Sequence, residues 1–203
     1  MKFKRTQVGI IGAGPAGLTL ARLLFERGIS TVILEAKDRE YVENRIRAGV
    51  LEQGSVELLG QAKSDSRLQS NAQIHKGIEI SLNGNRCRVN LEKLSGGKHV
   101  TVYGQTEITI DLIEVHTKLG GEIIFEASNV IPRDFDTKTP VIQYESNGEL
   151  TELQCDFIAG CDGFHGISRS SIPPSKLKFF ERVYPYSWLG ILAEAPPPSK
   201  ELI

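Results

Sequence analysis

The spacing of hydrophobic positions changes along this chain, and the changes mark its elements. The short apolar run Val8-Gly9-Ile10-Ile11 leads into Gly12-Ala13-Gly14-Pro15-Ala16-Gly17. Beyond it Leu18, Ala21, Leu24 and Phe25 recur at helical spacing, and Gly28 ends the pattern. A second apolar run, Thr31-Val32-Ile33-Leu34, stops at Glu35. This order predicts a strand over 7–11, a helix from Pro15 to Arg27 and a strand over 30–35. Two strands joined by a helix are parallel, in a sheet covered on both faces.

Residues 38–49 are polar, and Val50, Leu51, Val56, Leu58 and Leu59 then read as a helix. Residues 77–82 and 86–91 alternate with period two around Asn83-Gly84, a hairpin signal. Val100–Tyr103 reads as a strand. Residues 106–119 read as an amphipathic helix with Ile108, Leu112, Val115 and Leu119 inward, closed by Gly120-Gly121. Residues 122–127, 141–145 and 150–155 alternate like antiparallel strands, with Asn147-Gly148 turning between the last two. Phe157-Ile158-Ala159-Gly160 reads as a buried strand, and residues 184–194, with Tyr184, Tyr186 and Trp188, as an aromatic strand. The fold class expected is α/β: a nucleotide-binding parallel sheet with antiparallel insertions, and part of a second, smaller sheet.

Composition changes little in this picture. At 203 residues the chain is 40% hydrophobic and 24% charged, enough to bury a core. A net charge of −1 gives no reason to expect nucleic acid or an anionic membrane as partner. No apolar stretch is long enough to span a bilayer, and the N-terminus lacks the apolar region of a signal peptide, so a cytoplasmic location is expected. Cys87, Cys155 and Cys161 match no metal spacing and read as reduced thiols, and the four histidines are dispersed; no metal site is expected.

The chemistry concentrates in two turns. In the first, Gly12 permits a tight turn, Gly14 lets a pyrophosphate approach the backbone, and Gly17 lets the helix pack closely on the strand. The helix N-terminus offers free N–H groups to phosphates, and Glu35 can accept from a ribose diol. These features imply a bound dinucleotide. The second turn is Cys161-Asp162-Gly163-Phe164-His165-Gly166, followed by Ser168-Arg169. Asp162 can accept from a ribose or ribityl hydroxyl and Arg169 can balance a phosphate, although a plain strand–turn–helix connection fits as well.

With Arg45-Ile46-Arg47-Ala48-Gly49-Val50-Leu51-Glu52-Gln53, the stretch Val102-Tyr103-Gly104-Gln105 and Phe180-Glu181-Arg182-Val183-Tyr184-Pro185, these turns resemble the flavoprotein aromatic hydroxylases over essentially the whole chain. The resemblance implies a Rossmann-like sheet of the glutathione-reductase type, FAD as cofactor, NADPH or NADH as electron donor, and O2 and an aromatic acid as substrates. The implied reaction is hydroxylation of 4-hydroxybenzoate to 3,4-dihydroxybenzoate through a C4a-hydroperoxyflavin. FAD would meet Gly12, Gly14, Ala16, Gly17, Glu35, Arg45, Arg47, Ala48, Gly49, Val50, Gln105, Asp162 and Gly163. NADPH would meet Tyr41, Arg45, Phe164, His165 and Arg169. Ala36 stands where NADPH-selective relatives carry Arg, leaving Lys37 or Arg39 to compensate.

The resemblance also implies a division into 1–73 and 104–175 for FAD, and 74–103 and 176–203 for part of the substrate-binding sheet. Family members are longer and form homodimers, so the chain is expected to be an N-terminal half that carries no catalytic acid–base residue. A catalytically inactive FAD-binding fragment and an NAD-dependent dehydrogenase are the alternatives. Gln105 also fits a helix cap, Glu107 a favourable first-turn acid, and Tyr184, Tyr186 and Trp188 core packing.

Overall fold

The computed structural model describes residues 1–187, 189, 191, 194, 196, 199 and 201–203. Its elements in chain order are β1 (Lys2–Arg5), β2 (Val8–Ile11), α1 (Pro15–Phe25), β3 (Thr31–Leu34), α2 (Arg39–Asn44), β4 (Val50–Glu52), α3 (Gln53–Gln61), α4 (Ser66–Asn71), β5 (Gln73–His75), β6 (Gly77–Leu82), β7 (Asn85–Asn90), α5 (Leu91–Leu94), β8 (Val100–Val102), α6 (Gln105–Lys118), β9 (Glu122–Ile124), β10 (Ser128–Arg133), β11 (Val141–Ser146), β12 (Glu149–Gln154), β13 (Phe157–Gly160) and α7 (Ile167–Ser170). They fall into two units: Met1–Ile74 with Val100–Ser171, and His75–His99 with Ile172–Ile203.

In the first unit a parallel sheet runs β13-β2-β3-β9. All four residues of β2 are buried, because the sheet is covered on both faces. Ile10 and Ile33 point to one face and pack with Leu18 and Ala21 of α1 and Ile108, Leu112 and Ile113 of α6. Ile11, Val32 and Leu34 point to the other and pack with Ile142, Tyr144 and Leu153 of a second sheet, ordered β1-β12-β11-β10. The two sheets touch closely at Gly9, where a Cβ would lie 2.6 Å from both Cys155 Sγ and Ile142 Cδ1.

Several elements differ from the sequence reading. Val50–Glu52 is a strand, paired antiparallel to β8, and helix α3 starts only at Gln53; pairing with Val100–Val102 overrides a weak helical pattern. Glu122–Ile124 joins the parallel sheet beside β3 instead of the antiparallel layer, since α6 acts as a crossover returning the chain to the same sheet. The third antiparallel strand is β10, which carries no clear alternation. β1, fully exposed along its length, pairs parallel to β12 at the edge. β13 is an edge strand and not a buried one: Phe157 is 71% exposed. On α6, Leu119 lies past the helix end and is exposed, while Asp111 and His116 are buried. Helix α2, capped by the Asp38 side chain accepting from Tyr41 N–H (2.6 Å), sits in the stretch read as merely polar.

The second unit holds the β6–β7 hairpin, whose turn residues Asn83 and Gly84 both have positive φ (50° and 77°), the geometry of a two-residue type I′ turn. Arg88 binds Glu201 through two nitrogens (2.6 and 2.7 Å), Leu202 bridges to Ile78, and the Leu202 N–H donates to His75 Nδ1 (3.0 Å). No strand forms among the described residues of 184–194, where Tyr184 and Tyr186 are exposed; Trp188 lies outside the described residues.

Among the described residues no helix is long and apolar enough to cross a membrane, and no three His, Cys, Asp or Glu side chains gather where they could hold a metal ion. All three cysteines are free thiols.

Candidate dinucleotide site

The strands of the parallel sheet deliver two glycine-containing turns to one edge. The chain leaves β2 through Gly12, whose φ of +105° only glycine adopts easily. A Cβ there would lie 2.5 Å from the Cys161 carbonyl oxygen, so the two turns are in backbone contact. At Gly17 a Cβ would overlap the Gly12 carbonyl oxygen, which is why α1 can start so close to β2. Gly14 is different: a Cβ there would meet nothing within 4 Å, and the residue faces a cavity of about 740 Å³. Gly14 is also the N-cap of α1, with no side-chain cap and no acidic residue in the first turn. The first N–H groups of the helix therefore keep their hydrogen-bonding capacity and their positive dipole end for an anion in that cavity.

Glu35, at the end of β3, lines the same cavity. Its carboxylate accepts from Ala13 N–H (2.8 Å) through one oxygen and from Lys37 N–H (2.9 Å) through the other. These bonds fix its orientation and leave lone pairs on both oxygens for a diol. Asp162, at the end of β13, accepts from both the backbone N–H (2.9 Å) and the hydroxyl (3.0 Å) of Ser168 through Oδ2. A Cβ on Gly166 would overlap the Asp162 carboxyl group, so the turn around Gly163 (φ +74°) and Gly166 is shaped to admit that side chain. Burial and the neighbouring Asp162 carboxylate push the Cys161 thiol up, keeping it protonated and unreactive at neutral pH.

Arg45 and Arg47 also line the cavity, with Tyr41, Gln105, Gly163 and His165. The Arg45 guanidinium lies 5.9 Å from the Tyr41 ring centre and Lys37 Nζ lies 5.4 Å from it. Arg169 stacks over Phe164 at 4.2 Å, and Phe164 meets His165 edge-on at 4.9 Å. Ala48 and Val50 line a second, largely apolar cavity of about 450 Å³ with Leu20, Leu23 and Leu58. Pro15, Ala16 and Gln105 line both cavities. Gln105 opens α6 but makes no side-chain cap. Gly49 lines neither cavity; a Cβ there would come within 2.7 Å of Gly104 Cα.

Ala127, Ser128, Asn129 and Val130 complete one wall of the larger cavity, and the sequence reading missed them. Asn129 adopts φ +51° and its side-chain N–H donates to Glu145 Oε2 (3.0 Å). The missing signal was topological. This connection reaches the cavity because β9 belongs to the parallel sheet, and its alternating residues look the same in either sheet.

A cavity of about 740 Å³ lined by a helix N-terminus and by carboxylates at two strand ends fits a dinucleotide. The chain matches the model of a family described as FAD binding domain over residues 5–202. It is 50% identical to p-hydroxybenzoate hydroxylase of Acinetobacter baylyi over all 203 residues, covering 50% of that protein. It is 24% identical over 193 residues to Tryptophan 2-halogenase of Chondromyces crocatus, covering 91% of this chain and 36% of that protein. The chain thus spans half the length, or less, of these curated relatives. Among solved structures, p-nitrophenol 4-monooxygenase PnpA of Pseudomonas putida superposes with a TM-score of 0.72 at 19% identity, over 85% of this chain and 44% of that one. PqsL of Pseudomonas aeruginosa in complex with 2-aminobenzoylacetate superposes with 0.72 at 21%, over 90% and 49%. The chain belongs to the FAD binding domain family.

Proposed function

We propose that this chain is the FAD-binding portion of an NAD(P)H-using aromatic monooxygenase that converts 4-hydroxybenzoate to 3,4-dihydroxybenzoate. The 50% identity to p-hydroxybenzoate hydroxylase supports the reaction class. The observation that carries the ligand assignment is Gly14: a glycine whose missing Cβ opens onto a cavity beside uncapped helix N–H groups. FAD, when bound, supplies the redox chemistry that activates O2 for aromatic hydroxylation.

The residues of the chain bind and orient. In this reading Glu35 accepts from the adenosine ribose and the α1 N-terminus at Gly14 and Ala16 holds the pyrophosphate. Asp162 and Gln105 meet the ribityl chain. The flavin ring lies against Arg45, Arg47 and the Ala48–Val50 segment, where two guanidinium groups favour electron-rich flavin. NADPH or NADH reaches the same site over Tyr41, Arg45, Phe164, His165 and Arg169. The first unit carries FAD, and the second contributes to the substrate-binding sheet. No residue of this chain is assigned to substrate acid–base chemistry.

The test is titration of the purified 203-residue chain with FAD, followed by flavin fluorescence. A saturable yellow complex is expected. Glu35→Ala should weaken it by about 1.5–3 kcal/mol, the worth of a charge-assisted hydrogen bond; an unchanged titration removes Glu35 from the ribose. A second reading has its own support, since the chain covers half of its hydroxylase relative: a flavin-binding portion with no turnover by itself. NAD(P)H oxidation that accelerates on adding 4-hydroxybenzoate excludes that second reading, and FAD binding without such acceleration selects it.

A further inference from the structure

The Arg47–Val50 segment and Gln105 meet the cavities from different elements, and one residue links the first to helix α6. Tyr103 follows β8 and is buried, with 6% of its surface exposed. Its backbone N–H donates to the Gly49 carbonyl (2.8 Å), and Gly49 has no room for a Cβ against Tyr103 O (2.8 Å) and Gly104 Cα (2.7 Å). Its hydroxyl donates to Asp111 Oδ2 (2.7 Å), further along α6. Asp111 Oδ1 in turn accepts from Arg67 Nη1 of α4 (2.7 Å), and the other Arg67 nitrogen binds Glu107. Gly104, between Tyr103 and Gln105, caps α6 without any side-chain bond.

Core packing alone does not account for this arrangement. A phenylalanine would fill the same space without placing a carboxylate at 6% exposure. The hydroxyl gives the ring a fixed depth and rotation: its far end is tied to α6, its backbone to Gly49. Burial and the Asp111 hydrogen bond push the Tyr103 hydroxyl up, so it stays a donor at any pH the protein meets.

We infer that Tyr103, held by Asp111 with Arg67 behind it, is a positioning residue that sets the Ala48–Val50 segment, through the Gly49 backbone, and Gln105 for the flavin ring and ribityl chain respectively. The inference rests on the reading that FAD occupies this site with its ring toward Ala48–Val50. It assigns Tyr103 to the flavin half of the ligand only, because Glu35 and Ala13 are held by each other and by Lys37, and the Gly14 carbonyl by Leu18 N–H.

That split gives the test. In the 203-residue chain, Tyr103→Phe should raise the FAD Kd about tenfold, the cost of one buried hydrogen bond, while the Kd for ADP stays within about twofold. The visible circular dichroism of bound flavin should change with it. Arg67→Lys, a surface-side change that keeps the charge and loses the two-pronged grip, should move FAD in the same direction by about threefold, again without ADP. FAD and ADP weakening together in both variants would mean general loss of structure and overturn the inference. So would FAD affinity and flavin dichroism that match the unsubstituted chain. A chain that binds ADP but not FAD before any substitution overturns the reading of the site and the inference with it.

Discussion

Helix α6 carries a buried polar cluster at each end, and the two are built on opposite terms. In its N-terminal half, Asp111 is buried and both of its oxygens are paired, to Tyr103 and Arg67. Near its C-terminus, His116 is fully buried and neither ring nitrogen has a hydrogen-bond partner among the described residues. Arg22 of α1, also fully buried, donates to the Ala62 carbonyl (3.2 and 3.1 Å) and to Glu26 Oε1 (2.5 Å), yet its Nη1 has no partner. Phe25 lies between them in contact with both, 5.0 Å from the Arg22 guanidinium and 6.2 Å from the His116 ring. A fully paired network specifies geometry, while a partly paired one stores a cost. The end of α6 that faces the candidate flavin site is the fully paired one. The distant end keeps two basic groups side by side.

The strongest way to break the paired end is Asp111→Ala. It strips the acceptor from a buried hydroxyl and the charged partner from Arg67 at once. The expected loss is about 3 kcal/mol, from an unsatisfied buried donor plus a charge-assisted bond. The urea midpoint measures it, and a loss under about 1 kcal/mol would show that the network is ornamental to stability.

The unpaired end should respond to acid. Burial, helped by the Arg22 charge, lowers the His116 pKa to about 4 from an ordinary 6.5. A folded pKa below the unfolded one means that the unfolded chain binds the proton more tightly. The stability linked to neutral His116 is complete above pH 6.5 and is lost as pH falls from there toward 4. Between pH 7.5 and 5 that amounts to about 2 kcal/mol. Urea unfolding at the two pH values measures it, and His116→Leu, which removes the orphaned nitrogens without emptying the site, should flatten the dependence without loss at pH 7.5. An equally steep dependence in His116→Leu would assign the acid response to other groups.

This contrast marks where the sequence could be read. The β2–α1–β3 unit was legible because three signals coincide there: an unbroken apolar run, glycines at fixed spacing and an acidic strand end. The hairpin was legible from Asn83-Gly84 alone, since few pairs suit two successive positive φ angles. Gly12, Gly14, Glu35 and Asp162 came from the turns and strand ends themselves; Tyr41, Arg45, Arg47, Ala48, Val50 and Gln105 came from the family resemblance, and periodicity contributed little to Arg45–Val50. What stayed hidden depended on partners distant in sequence. Val50–Glu52 is a strand only because β8 pairs with it. Arg22, Asp111 and His116 look like solvent-facing positions until Ala62, Arg67 and Phe25 are placed beside them. Leu119 looked like core for the complementary reason: helical spacing continued past the residue where the helix stops.

The smallest effect separates burial from proximity within the paired end. Arg67 binds two carboxylates, Asp111 and Glu107, which differ in exposure, 7% for the Asp111 side chain and 41% for Glu107, and in the Tyr103 hydroxyl that Asp111 alone accepts. In water-exposed surroundings the attraction is screened and offset by ordering two long side chains. Glu107→Ala should therefore change stability by no more than about 0.5 kcal/mol, and less at high salt. Urea unfolding at low and high ionic strength measures it beside Asp111→Ala. If the two substitutions cost the same, distance to Arg67 governs the network and the buried carboxylate has no special standing. If they differ as expected, the grip on Tyr103 runs through Asp111, and Glu107 is a first-turn acid whose helix-dipole contribution is small and separable.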